Sequence, residues 1–199
     1  MSDTPKPRCA RCGSKDCSGG KDCFDRRETH RALYDDPKLA RIHRAATAIE
    51  GRHYCEATRL EEIALFAEEL GVKKLGLVFC VGLSEEAAVA ERILSKRFDV
   101  VSVCCKVCGL DKADFGLEQI DESRRESICN SAGQAALLNE AETELNIICG
   151  LCVGHDSVFT SQSKAPVTTF IAKDRVLAHN PAGALYCAYL RKRFEPNED

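Results

Sequence analysis

The pattern of apolar and polar positions divides the chain into a polar start, a helical stretch and a longer region of alternating short runs. Leu39, Ile42, Ala46 and Ile49 recur at helical spacing, which predicts a helix over about 37–50 with Pro37 in its first turn and Gly51 after it. Leu60, Ile63, Ala64, Ala67 and Leu70 form a second stripe, a helix over about 55–70 stopped by Gly71. From residue 74 onward short apolar runs alternate with helical stretches, which is the signature of β–α–β units. The strands are KLGLVFC at Lys74–Cys80, DVVSVC at Asp99–Cys104, LNIIC at Leu145–Cys149 and VTTFIA at Val167–Ala172. Between them Ser84 caps a helix with Glu85 and Glu86 in its first turn, Gln134–Glu142 reads as helix, and Ala182–Arg193 reads as a closing helix.

This alternation predicts an α/β domain over 31–199, a three-layer open, mostly parallel sheet with flanking helices. Residues 1–30 read as a separate Cys-rich metal-binding head, because Cys9 to Cys23 is rich in Gly, Ser, Lys and Asp and has no hydrophobic period. A core cannot order such a segment, whereas a metal can.

Composition sharpens that reading. Thirteen of 199 residues are cysteine, and charged residues of both signs make up 30%, which excludes collagen-like, low-complexity and wholly disordered chains. The longest apolar run, Leu75–Leu83, falls short of the roughly 18 residues of a membrane span, and the polar start has no signal-peptide core. The expected address is therefore the cytoplasm, where thiols stay reduced and clustered cysteine points to metal ligation or thiol chemistry. Residues 1–53 carry a net charge of +4 and the remainder −7. A basic, Cys-rich head resembles a nucleic-acid-binding ribbon in charge, but it lacks interleaved aromatics for base stacking, so nucleic acid is disfavoured as a partner.

Spacing then separates two groups of thiols. Cys9, Cys12, Cys17 and Cys23 supply four thiols within fifteen residues, enough for one tetrahedral zinc or one 4Fe–4S cluster. In the sheet region Cys80, Cys104, Cys105 and Cys149 end strands, with Cys108 and Cys152 just beyond them. In an open parallel sheet ligand sites lie outside the carboxyl ends of the strands, so these residues share one edge. The pairs Cys105–Cys108 and Cys149–Cys152 have the CxxC spacing that chelates a single metal centre, and Cys129 precedes a helix, where backbone N–H groups favour a thiolate. Cys187, inside ALYCAYL, and to a lesser degree Cys80 read as small core residues.

Acid–base candidates near the second group are His155, Asp156 and Lys106, and Lys173-Asp174-Arg175 and His179 follow the next strand toward the same edge. His30, His43 and His53 lie in the basic helical stretch and read as solvated. The chain has no GxGxxG after a strand, no GxxxxGK[ST], no GxSxG and no HExxH, so a nucleotide cofactor is unsupported.

Several longer segments together resemble the DUF1847 family of uncharacterised metal-binding proteins. They are TRLEEI (Thr58–Ile63), FCVGL (Phe79–Leu83), CCKVCG (Cys104–Gly109), the stretch from Cys129 to Asn139, GLCVGHDSVF (Gly150–Phe159) and KAPVTTFIAKDRVLAHNP (Lys164–Pro181). Where the family pattern has Cys-Asn-Pro this chain reads Cys129-Asn130-Ser131, a departure that keeps the thiol. The resemblance implies metal binding at Cys104, Cys105, Cys108, Cys129, Cys149 and Cys152, and it implies no reaction. Three functional expectations follow. The first is an iron–sulfur protein handling electrons or sulfur with a redox or sulfur-transfer partner. The others are a zinc-stabilised interaction module and a metal-free CxxC thiol redox enzyme.

Overall fold

A strand whose side chains are apolar on both faces has to be covered on both faces, and KLGLVF and LNIIC are such strands. The computed structural model, which describes residues 6–194, meets this requirement with a four-stranded sheet. Strands β1 (Lys74–Phe79), β2 (Asp99–Cys104), β3 (Leu145–Cys149) and β4 (Val167–Ile171) stand in the order β2-β1-β3-β4, and every pairing is parallel. Leu75, Leu77, Val78, Leu145 and Ile147 are fully buried. Each contributes roughly 1.5–3 kcal/mol through its removal from water.

The helices follow in chain order: α1 (Arg27–Arg31), α2 (Pro37–His53), α3 (Arg59–Glu69), α4 (Ser84–Leu94), α5 (Ser131–Glu140), α6 (His155–Gln162), α7 (Gly183–Tyr186) and α8 (Ala188–Arg191). With this strand order, the right-handed rule for parallel crossovers assigns α4 to one face of the sheet and α5 and α6 to the other; α4 packs on β1 and β2, and α5 packs on β2 and directly on α6. Helix α3 lies on the side of α4, held by an Arg97–Glu68 ion pair of 3.4 Å. The result is the three-layer α/β arrangement that the alternating pattern predicts. Among the described residues no helix is long and apolar enough to cross a membrane.

One polar device sits inside the core. Asn146 is fully buried, accepts from Thr143 Oγ1 at 2.8 Å and donates to Ser163 Oγ at 2.8 Å. Its amide lies over Gly76 of the neighbouring strand, where a Cβ would stand 2.1 Å from Asn146 Oδ1. The glycine in KLGLVF is therefore a packing requirement of the adjacent strand.

Four local readings change. Ser84 is the first residue of α4 and not its cap; its hydroxyl donates to Val81 O, and Leu83 holds the cap position. Helix α3 begins at Arg59, because Thr58 and Glu61 form a capping box. Helix α6 carries only one fully buried side chain, Phe159, and has no stripe for a periodicity search to find. The closing helix is broken in two at Cys187, which is exposed. Leu185, Tyr186 and Tyr189 are also exposed there, so no packed face holds a single helix together.

The chain divides into two compact units, Met1–Arg52 and His53–Asp199. In the first, no described residue from 6 to 36 is buried. Its backbone is tied locally, mainly by the Asp22 carboxylate, which accepts from the N–H groups of Phe24, Arg26 and Arg27.

Candidate functional site

Strand register brings the second group of thiols together. Phe79 is level with Cys104 on one side and Cys149 on the other, so the chain leaves β1, β2 and β3 at one height. The order β2-β1-β3-β4 also reverses direction between β1 and β3, and at such a switch point the departing loops part and leave a crevice. A cleft of about 600 Å³ opens there. Its walls include Cys80 from the loop after β1, Cys129 from the long connection after β2, Cys152 from the loop after β3, and Lys173 and Arg175 from the loop after β4.

Each loop is fixed by its own bonds. Cys80 N–H donates to Cys149 O, and the turn Val81–Leu83 closes through Leu83 N–H to Cys80 O at 2.8 Å. Gly150 takes φ 71°, where a Cβ would meet Leu83 at 2.7 Å, so only glycine lets the β3 loop turn there. Cys105 N–H continues the ladder to Phe79 O, and Asn130 N–H donates to Cys105 O at 2.8 Å, which carries Cys129 back beside Cys105. Asn130 also caps α5, with Oδ1 accepting from Gly133 N–H at 2.9 Å. The segment between 110 and 128 is closed at its neck by an Asp111–Ser127 bridge and a Lys112–Glu126 ion pair of 2.8 Å.

Donors surround the thiols. Lys173 Nζ donates to Cys80 Sγ at 2.6 Å, Lys106 Nζ to Cys129 Sγ at 3.5 Å, and Arg175 Nη2 to Cys152 Sγ at 2.9 Å. Buried Cys105 accepts from Val81 N–H at 3.3 Å and hydrogen-bonds Cys129. In that pair Cys105 keeps the proton and donates it to Cys129. Cys105 is raised far above the usual thiol range by this bond and by burial. Cys129 falls to about 5, first through the Cys105 bond and then through the charges of Lys106 and His155. At Cys80 burial acts to raise the thiol, but the Lys173 bond, the Gly82 N–H and the Lys173 charge together bring it below its ordinary value. Cys149 lies beneath, fully buried, and is pushed up to about 11 by burial and by the charge of Glu86.

The ligand set read from spacing is thus partly redistributed. Cys129 and Cys152 line the cleft, and buried Cys105 reaches it only through its hydrogen bond to Cys129; Cys104, Cys105, Cys108 and Cys149 are not among the lining residues. Cys108 is exposed at φ 66°, an uncommon conformation for a side-chain-bearing residue. Cys80, which the sequence suggested as packing, joins the site; it follows Phe79, the β1 residue level with Cys104 and Cys149, and that position is the signal that identifies it. Lys106 and His155 line the cleft. His155 Nδ1 is buried without a partner, so no hydrogen bond fixes the tautomer of the ring. Asp156 is not in the lining; its carboxylate accepts from Ser157 N–H. His179 Nδ1 accepts from Asp174 N–H and serves its own loop.

In the head, Cys9, Cys12, Cys17 and Cys23 are all exposed on two short turns, Cys9–Arg11 and Asp16–Gly19, and the residues after them. Cys12 is lowered by a hydrogen bond from Lys15 N–H. Among the described residues no three Cys, His, Asp or Glu side chains stand close enough together to hold a metal ion.

A parallel α/β sheet with thiols gathered at its switch point is the class that fold and site define. The chain belongs to the family described as a protein of unknown function (DUF1847), whose model matches residues 20–170. It is 47% identical over 189 residues to the uncharacterized protein MJ0455 of Methanocaldococcus jannaschii, covering 94% of this chain and 97% of that protein. No solved structure matches.

Proposed function

We propose that this protein is a metal-binding thiolate protein, with an iron–sulfur centre held by Cys80, Cys105, Cys129 and Cys152 and a second held by the four cysteines of the head. One observation carries the reading: thiols from three different strand-following loops converge at one cleft, each with a cation or backbone N–H directed at its sulfur. A four-thiolate centre is anionic, and Lys106, Lys173 and Arg175 supply the compensating charge and the sulfur-directed hydrogen bonds that tune such centres. The donor chemistry therefore fits. The head fits for a different reason: its described residues bury nothing, so four thiols joined through a metal would supply the order that a core does not. A bound iron–sulfur centre supplies one-electron chemistry or labile sulfur, and zinc in the same thiols supplies structure alone.

The test is iron, zinc and acid-labile sulfide content, with a visible spectrum, on full-length protein purified without oxygen. Iron with sulfide is expected. Cys9→Ser/Cys12→Ser and Cys105→Ser/Cys129→Ser variants are each expected to lose about half of it. Zinc alone replaces this reading with a zinc-stabilised module, and protein free of metal overturns both.

The Cys105–Cys129 hydrogen bond favours one second reading, a metal-free thiol–disulfide couple. A thiolate in contact with a protonated thiol is the arrangement from which a disulfide forms on loss of two electrons to an external disulfide. In metal-free native protein, one disulfide located to Cys105 and Cys129 by mass after alkylation supports it.

A further inference from the structure

The cleft has a side that thiol chemistry does not require. Leu117 and Ile120, carried by the segment closed at the Asp111–Ser127 neck, and Ile128, just outside the neck, form part of its wall, and Ile120 is 87% exposed. Exposed Val81 lies on the same wall, Val153 directly follows Cys152, and Val176 directly follows Arg175. Apolar side chains grouped at the mouth of a cavity signal something that covers them. The volume of about 600 Å³ lies within the roughly 300–1,000 Å³ of small-molecule sites.

The charged groups say what the other end of that molecule is. Lys106 is engaged by Ser127 O and Cys129, and Lys112 by Glu126 and Glu118 O. Lys173 is turned to Cys80. Exposed Arg175 gives Nη2 to Cys152, and the rest of its planar fork has the geometry that pairs with a carboxylate. A phosphate is less well served. The first N–H groups of α6 are already taken by Cys152 O, Asp156 Oδ1 and Gly154 O, so the helix terminus offers no cradle.

We propose that the cleft binds a small organic acid, its carboxylate on Arg175 beside Cys152 and its hydrocarbon body against Leu117, Ile120 and Ile128. The carboxyl end is thereby delivered beside Cys152, with Glu118 in the wall disfavouring a second negative charge on the ligand. This deepens the thiolate reading by naming what is brought to the centre, and it rests on that reading only for the chemistry that follows binding.

Calorimetric titration of the full-length protein with 4-biphenylacetic acid and with its neutral amide tests it, with iron and sulfide measured on the same samples. The acid binds and the amide binds at least about tenfold more weakly, the usual loss for a charge-assisted pair. Arg175→Gln brings the acid down to the affinity of the amide and leaves the amide unchanged, and Ile120→Asp weakens both. Equal affinity for acid and amide, no binding of either, or unaltered acid binding by Arg175→Gln overturns the proposal. Acid binding by protein that contains no metal refutes the metal centre and leaves this inference standing. Metal-loaded protein that ignores the acid does the reverse.

Discussion

The head has four cysteines and the cleft at the sheet edge is lined by three, with Cys105 bonded to one of them, but the two regions hold them in opposite ways. In the head the thiols are exposed on turns bonded only to their near neighbours, and no described residue from 6 to 36 is buried. At the sheet edge the loops leave parallel strands at one register, and Cys80, Cys105 and Cys152 each have a donor carried by another loop. A thiol set held by the fold stays in place without its metal, whereas a set that takes its order from the metal is lost with it. The difference teaches that one residue type can be placed by its sequence neighbours in one region and by a sheet in another.

The largest way to separate the two is to strip metal with a strong chelator. The head is expected to become susceptible to protease between residues 8 and 36, while the sheet unit keeps its circular dichroism and its cooperative melt. Loss of both signals together would erase the comparison. The next test acts on the sheet alone. Gly76→Ala drives a Cβ against Asn146 and is expected to cost about 1–3 kcal/mol in urea unfolding, without altering protease susceptibility in the head. Asn130→Ala removes the α5 cap that sets the approach of Cys129 and is expected to cost about 1 kcal/mol.

A smaller effect reads the thiols directly. In metal-free protein Cys129 is expected to alkylate with a midpoint near pH 5, fast above it and slowing as the pH falls through it and the thiolate takes up a proton. Cys105→Ala raises the midpoint most and Lys106→Met raises it less, the order of their support. Smallest of all, Lys112→Met is expected to speed amide hydrogen exchange across 113–126 several-fold and leave global stability unchanged, because the pair it breaks closes only the neck of that segment.

Much of this was legible in the sequence for identifiable reasons. Asp99–Cys104 and Leu145–Cys149 match the strands observed, because an apolar run with no helical alternative has little freedom in a buried parallel sheet. The shared edge of the thiols followed from the same strands. Sequence could not settle which thiols turn into the cleft. The doublet Cys104-Cys105 lies where successive side chains point to opposite faces, and Cys129 reaches the site through the Asn130 N–H to Cys105 O bond across some 25 residues. Cys80 reads as packing because it ends an apolar strand run, and it is buried, yet its sulfur accepts from Lys173, distant in sequence. Helix α6 is missed because it carries no apolar stripe, and the last helix reads as continuous because its apolar residues, exposed in the fold, look like a packed face.

The closed neck at Asp111–Ser127 has an evolutionary consequence. Because Lys112 N–H meets Glu126 O and Ile128 N–H meets Leu110 O just inside and outside it, the path of the chain into Cys129 is set before the tip begins. The tip is free to lengthen, shorten or change its side chains with no displacement of the sulfurs. Under the ligand proposed above, preference can therefore drift through residues 113–125 while the thiols keep their places, and that segment is where an engineer can graft a new specificity.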